Sequence, residues 1–223
     1  MAVLNHVQSV EENGFAIVPQ CLSEQVVEDL CSHLGSKHDQ RNLLDVPLVR
    51  ELAVSEPVKQ LIVAVLGKEC FAVRGILFNK TPDSNWKVVW HQDRTIAVRE
   101  RRDTAHFGPW SIKAAVPHVQ PPASVMAKML AIRLHLDESH PSNGPLRVIP
   151  GSHIAGCLSP AEIATWKERQ SVTCTAPRRG AILMRPLLLH ASSSCALREQ
   201  RRVIHLEFAA DDLPNGLEWH DRL

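Results

Sequence analysis

Trp90-His91-Gln92-Asp93 and a second histidine, His190, 97 residues after Asp93, are the groups in this chain best placed to hold a metal. A histidine and a carboxylate two residues apart, joined by a distant histidine, can supply a 2-His-1-carboxylate face. Such a face binds non-haem Fe(II) and leaves coordination positions open for oxygen and a co-substrate. Arg201 follows 11 residues after His190, and an arginine can grip a carboxylate through two parallel charge-assisted hydrogen bonds. The combination points to iron oxygenase chemistry.

The His-x-acid pattern alone does not choose the ligands. With 12 His and 24 Asp plus Glu in 223 residues, about one such pair arises by chance, and the chain has three. His91 and Asp93 sit where an apolar run meets a polar one, the expected rim of an open site. On a strand, residues i and i+2 share a face, so both can aim at one ion while Gln92 turns away. His135/Asp137 and His205/Glu207 lie in or at the end of apolar runs, and are expected to hydrogen-bond each other or water. His190 closes the apolar run 182–189 and opens into a serine-rich turn, again a strand end. Arg133, in an otherwise apolar run, needs an anionic partner. Either a bound carboxylate or an internal one, Asp137 or Glu207, could supply it. Asn79, Lys80 and Lys87 precede the motif, and the lysines read as solvated surface.

The elements that must position these groups are legible in part. Gly14–Pro19 reads as an edge strand. Ser23 caps a helix carrying Val26, Val27, Leu30, Cys31 and Leu34 on one face, stopped by Gly35; a second helix runs from Ser55, with Pro57 in its first turn, to Gly67. From residue 69 the texture is β. Candidate strands are 70–79, 86–91, 128–136, 144–149, 171–175, 180–185 and 203–209, separated by turn signals such as Thr81-Pro82-Asp83-Ser84-Asn85 and Ser142-Asn143-Gly144. Many short strands imply a sandwich, barrel or jelly roll rather than a parallel α/β sheet. The organisation expected is one domain over 1–223, with a helical buttress at 1–68 and a β core at 69–210. Residues 94–127 are weakly periodic, and a connection of that length is expected to be a lid.

Composition limits the function classes. A formal net charge of +1 offers no field for nucleic acid or an anionic membrane. The longest apolar run, Leu61–Leu66, is too short to span a bilayer, and no secretory signal is expected at the N-terminus. Six scattered cysteines without a CxxC pair read as reduced thiols of a cytoplasmic protein.

Beyond these local readings, the chain resembles the phytanoyl-CoA dioxygenase family of Fe(II)/2-oxoglutarate oxygenases. The likeness rests on Gly14–Pro19 with the helix after it, on Trp90-His91-Gln92-Asp93 and on Asn143-Gly144-Pro145-Leu146-Arg147-Val148-Ile149-Pro150-Gly151-Ser152-His153. It closes with His190, Ser192 and Arg201 before a strand ending in Phe208-Ala209. The resemblance implies a double-stranded β-helix (a cupin-like jelly roll) flanked by helices, mainly β within an α+β whole. It implies that His91, Asp93 and His190 ligate Fe(II), and that Arg201, with Ser192 beside it, holds the distal carboxylate of 2-oxoglutarate. Arg133 is a further candidate for a co-substrate or substrate carboxylate, Arg202 an outer-face charge, and His153 structural. The activity implied is oxidation, most simply hydroxylation, of an organic molecule by O2 coupled to conversion of 2-oxoglutarate to succinate and CO2. The mix of aromatics, His106, His118 and arginines in 94–127 suggests that the molecule is small and polar or anionic. The rivals are a cupin-like metal enzyme that needs no oxo acid and a non-catalytic jelly-roll binding module.

Overall fold

Strand β12 (Arg201–Ala209) organises the molecule, because its two faces serve different purposes. The computed structural model describes residues 2–35, 40–81, 83, 85–195 and 199–223. Within it, β12 lies antiparallel between β2 (Phe71–Lys80) and β7 (Met129–His135). Strands β10 (Ala181–Met184) and β1 (Phe15–Val18) extend this sheet, in the order β1-β10-β7-β12-β2. A second antiparallel sheet faces it, with β3 (Val88–His91), β8 (Leu146–Val148), β9 (Val172–Cys174) and β11 (His190–Ser192) in the order β3-β11-β8-β9. Two mainly antiparallel sheets with flanking helices form the double-stranded β-helix expected from the sequence.

Alternation along the large sheet assigns the faces. Leu77, Ile132, Leu134, Leu183, Ile204 and Leu206 point outward and share one apolar cluster with the helices. Those helices are α2 (Glu24–Leu34), α3 (Pro47–Ala53) and α4 (Glu56–Leu66). Burying each such aliphatic side chain contributes about 1.5–3 kcal/mol, which explains why a sheet can devote its other face to polar groups. Ser23 caps α2 by accepting from the Val26 N–H at 3.3 Å, and Gly35 ends it, as the sequence predicts. The inner face divides in two. Toward β1 and β10 it is apolar, with Ala131, Ile182 and Met184 packed on Leu146, Val148 and Cys174 of the small sheet. Toward β2 and β12 it carries Arg74, Lys80, Arg201, His205 and Glu207.

The largest departure from the sequence reading lies in residues 94–127. Instead of a long loop, they form a three-stranded sheet, β4-β6-β5, from β4 (Ile96–Ala97), β5 (Trp110–Lys113) and β6 (Val116–Val119), followed by the single-turn helix α5 (Ala123–Met126). Ile96, Val98, Val119 and Met126 pack with Phe71, Met129, Leu213, Leu217 and Trp219. Strands of two to four residues, one containing Pro117, are too short to show a period. Their partners come from β2 and β7 and from the C-terminal tail, beyond the expected end of the β core. Helix α1 (Ala2–Asn13) and α3 were also not anticipated; α6 (Pro160–Trp166) completes the set. Of the 81–85 turn signal, Pro82 and Ser84 lie outside the described residues.

Candidate metal centre and active site

β3 and β11 pair so that His91 stands opposite His190, and both rings enter the space between the sheets. Their centroids are 4.2 Å apart. Asp93 comes off the end of β3, its backbone N–H held by the Pro186 carbonyl at 3.0 Å. One ligand atom from each of His91, Asp93 and His190 lies within 4.8 Å of the other two. His91 Nε2 is 3.8 Å from Asp93 Oδ1, and His190 Nε2 is 3.7 Å from Asp93 Oδ2. Among the described residues this is the one such group of three metal-binding side chains.

The surroundings prepare both rings as ligands. His91 Nδ1 bonds to the Val89 carbonyl at 2.9 Å and His190 Nδ1 to the Leu188 carbonyl at 2.8 Å. A carbonyl only accepts, so each Nδ1 carries the proton and each Nε2 presents its lone pair to the shared space. Burial pushes the His190 pKa down to about 4 against the pull of Asp93, so the ring is neutral at pH 7, as a metal requires. For Asp93, burial opposes the charge, but its electrostatic interactions with His190, His205, His91 and the Arg74 guanidinium prevail and hold the carboxyl well below its usual range. Gln92 turns away, as alternation requires. It donates to the Leu187 and Gly156 carbonyls at 2.6 and 2.8 Å and accepts from Leu158 N–H at 2.8 Å, clamping the chain on either side of the site.

The Pro-Gly-Ser-His turn has a mechanical part in this. Ser152 Oγ donates to the Ile149 carbonyl at 2.7 Å and accepts from Leu189 N–H at 2.8 Å, fixing the residue just before His190. His153 holds α1 instead, through the Glu11 carbonyl at 3.1 Å. It packs so tightly that a Cβ on Gly14 (φ +84°) would lie 2.5 Å from its Nδ1. Gly144 (φ +70°) is required in the same way, because a side chain there would collide with the Ser193 carbonyl and press on Lys80 Nζ.

Deeper between the sheets, Arg133, His135 and Arg201 are buried together. Neither arginine forms an ion pair among the described residues. The Nε of each, and both ring nitrogens of His135, have no hydrogen-bond partner. Arg133 Nη1 lies 3.4 Å from His205 Nδ1, and its guanidinium rests 5.0 Å above the Phe78 ring. Burial and the Arg133 charge pull the Arg201 pKa down to about 10, and burial with both arginines takes His135 to about 3. Buried cations without counter-charges are costly, so this cluster is built to receive an anion from outside the chain. A dicarboxylate meets that demand. Ser192 lies at the same end, its Oγ accepting from Lys80 Nζ at 3.2 Å, which leaves its own proton free to donate.

Two expectations are corrected here, and one open alternative, an internal partner for Arg133, is closed. Lys80 is buried rather than solvated, with its ammonium on Ser192 and the Ser193 carbonyl and 5.6 Å from the Trp86 ring. His135 and Asp137 do not bond each other, because Asp137 faces outward and takes Arg202 at 2.8 Å through both Nε and Nη2. Arg133 does not pair with Glu207, which holds Arg74 at 3.0 Å and His205 at 3.2 Å. Arg202 lies on the outer face as expected, Lys87 is exposed, and Asn79 is buried. Arg74 was missed as a site-facing group, and Lys80 was weighed for the mouth but read as solvated. Period-two alternation along Arg74-x-Ile76-x-Phe78-x-Lys80 carries that signal once the strand is known to face a partner sheet.

Non-haem iron oxygenases that consume 2-oxoglutarate are the class that this combination of fold and site defines. Residues 34–202 match the family described as phytanoyl-CoA dioxygenase (PhyH), and the chain belongs to that family. Solved structures repeat the fold at low identity. EctD from S. alaskensis, in its apoform, superposes with a TM-score of 0.71 at 18% identity, covering 92% of this chain and 76% of that one. SnoK, a carbocyclase of nogalamycin biosynthesis described as non-heme and alpha ketoglutarate dependent, gives 0.72 at 14%, covering 98% and 92%. The epimerase SnoN of the same biosynthesis gives 0.71 at 14%, covering 96% and 91%. No curated protein sequence matches the chain. No helix among the described residues is long and apolar enough to cross a membrane, and no disulfide joins any of the six cysteines.

Proposed function

We propose that the protein is an Fe(II)- and 2-oxoglutarate-dependent oxygenase that hydroxylates a small organic molecule. His91, Asp93 and His190 hold the iron, Arg201 and Ser192 take the distal carboxylate of 2-oxoglutarate, and Arg133 is the second cation of that cradle. The observation that carries this reading is the pairing of a three-ligand face with buried, unpaired arginines behind it. A metal enzyme with no oxo acid gives those arginines no partner. When bound, iron and 2-oxoglutarate supply O2 activation coupled to decarboxylation of the oxo acid to succinate and CO2. The chain's own contribution is to hold both ligand rings in the Nδ1-protonated form, to keep Asp93 ionised, and to match the co-substrate's charge in a site shielded from water. Asp93 also bears on the outcome, because a carboxylate in that position occupies the place a halide needs, which favours hydroxylation over halogenation. EctD has been crystallised with 2-oxoglutarate and 5-hydroxyectoine, and SnoN with Fe3+, alpha ketoglutarate and nogalamycin RO, so small organic molecules reach this site in neighbours of the fold.

The test is anaerobic reconstitution with Fe(II), followed by titration with 2-oxoglutarate and then by a screen for substrate-dependent succinate by mass spectrometry. The reading requires a visible charge-transfer band that needs both additions and vanishes in His91→Ala but survives in His135→Ala. Iron retained by His91→Ala and lost by His135→Ala would move the centre to the other histidine pair.

A further inference from the structure

In front of His91 and Asp93 lies a cavity of about 530 Å3 whose lining includes four cations, Arg41, Arg74, Arg94 and Lys113. Two are committed within the protein. Arg74 pairs with Glu207 at 3.0 Å and donates to the Thr95 carbonyl at 3.1 Å. Arg94 clamps Gln120 Oε1 at 2.8 Å and the Leu158 carbonyl at 3.0 Å.

Arg41 and Lys113 differ. Among the described residues, no carboxylate lies within ion-pair distance of either. Lys113 is half-buried, yet its ammonium has one hydrogen bond, to Thr95 Oγ1 at 2.9 Å, which leaves two protons unspent. Burial, then the charges of Arg74 and Arg41, pull its pKa down, although Asp93 and Glu207 oppose this. The two residues reach the rim from separate elements. Arg41 follows Gln40, which bridges to Leu77 of β2, and Lys113 ends β5. Asn42 Nδ2 ties these elements together, donating to the Ala114 carbonyl at 3.3 Å. Arg41 is exposed and Lys113 half-buried, so solvent screens their repulsion only in part, and an anion between them would relieve it. The 2-oxoglutarate would not supply that anion, since its distal carboxylate answers Arg201 and Arg133 and its remaining charge, with Asp93, answers the iron, while Glu207 is paired with Arg74.

We propose that the substrate of this enzyme is an organic anion whose carboxylate or phosphate group is anchored between Arg41 and Lys113 at the rim, with its oxidisable carbon directed inward to the metal. This rests on the metal and co-substrate assignment above. Arginine supplies a planar fork for the oxygens and lysine a point charge, a combination that suits both anion types. A neutral substrate would leave Lys113 half-desolvated without a counter-charge.

The test uses protein loaded with Mn(II), as a stand-in for iron that binds O and N ligands, and saturated with 2-oxoglutarate so that the inner cradle is filled. Inorganic phosphate and acetate are the two probes, read by Mn(II)-enhanced relaxation of phosphate 31P and of the acetate methyl protons. Enhancement is expected for one or both, and which of them responds more strongly separates phosphate from carboxylate substrates. The Arg41→Gln/Lys113→Gln double variant should weaken the responding probe at least 10-fold while Mn(II) and 2-oxoglutarate affinities stay put; Lys87→Gln, an exposed lysine elsewhere, should change nothing. The proposal falls if both probes relax equally in wild type and double variant, or if wild type binds Mn(II) and 2-oxoglutarate yet enhances neither. It falls also if the double variant loses 2-oxoglutarate affinity instead, which would assign the two residues to the co-substrate. Failure to bind Mn(II) at all would instead overturn the metal assignment.

Discussion

Arg201 and Arg202 are adjacent in sequence and opposite in consequence. Alternation sends Arg201 inward to the buried cradle and Arg202 outward to Asp137, where it makes hydrogen bonds of 2.8 Å from its backbone N–H, Nε and Nη2. Arg201→Ala is therefore expected to raise the 2-oxoglutarate dissociation constant by two orders of magnitude or more, since leaving a buried carboxylate unpaired costs on the order of 3–5 kcal/mol. Arg202→Ala should leave that constant within about 2-fold and show its effect in stability. Calorimetric titration of both variants checks this, and a reversed pattern would flip the facing of β12. Ser152 acts at one remove. With both its bonds buried, Ser152→Ala should lower stability by about 1–3 kcal/mol. It should also weaken Fe(II) binding by about 10-fold by loosening the backbone before His190, measured by competition with a chelating dye.

Elements matter here through the histidines they bury without charge. His118 on β6 and His135 on β7 are 2% and 1% exposed, and burial takes their pKa values down to about 4 and about 3. The unfolded chain takes up protons at both positions below pH ~6.5, while the folded protein does not until pH falls near those lower values. Stability from these groups is thus fully present above pH ~6.5 and drains away as pH falls from there toward 4 and then 3. Urea unfolding should show a loss on the order of 1 kcal/mol per histidine between pH 7.5 and 5.5. His118→Gln should flatten that slope, and an unchanged slope would mean that His118 contributes none of it. The small sheet β4-β6-β5 that carries His118 also carries Lys113, so the same element that closes one end of the core brings a cation to the rim.

At the scale of the whole molecule, stability and function divide between the two faces of the large sheet. The outer face rests on α2, α3 and α4 through buried aliphatics, and Leu206→Ala in β12 should cost about 2–5 kcal/mol of unfolding free energy. Because its neighbours His205 and Glu207 point the other way, Fe(II) affinity measured well below the melting temperature should stay within a few-fold. A larger loss would mean that core packing and site geometry are coupled. The inner face can hold unpaired arginines beside a metal triad because the helix-packed face supplies the apolar burial.

What the sequence determined by itself is what repeats locally. Strand alternation placed His91 with Asp93 and away from Gln92, separated Arg201 from Arg202, and with capping and turn residues delimited α2, α4 and most strands of the two main sheets. The His-x-acid spacing could not choose among three pairs; position at strand ends and the family resemblance pointed to His91, Asp93 and His190, the three that the fold brings together. What only the tertiary structure decided depends on contacts between residues far apart in the chain. Lys80 is surface by type, but the Ser192–Ser193 segment, more than a hundred residues later, closes over it. Residues 94–127 carry no readable period, because their short strands are held by Phe71, Leu213 and Trp219 rather than by their own pattern. The partner of Arg133 was open for the same reason. Asp137 and Glu207 were both available in sequence, and only the pairing of β12 with β2 and β7 committed them to Arg202 and Arg74, which left Arg133 without an ion pair among the described residues.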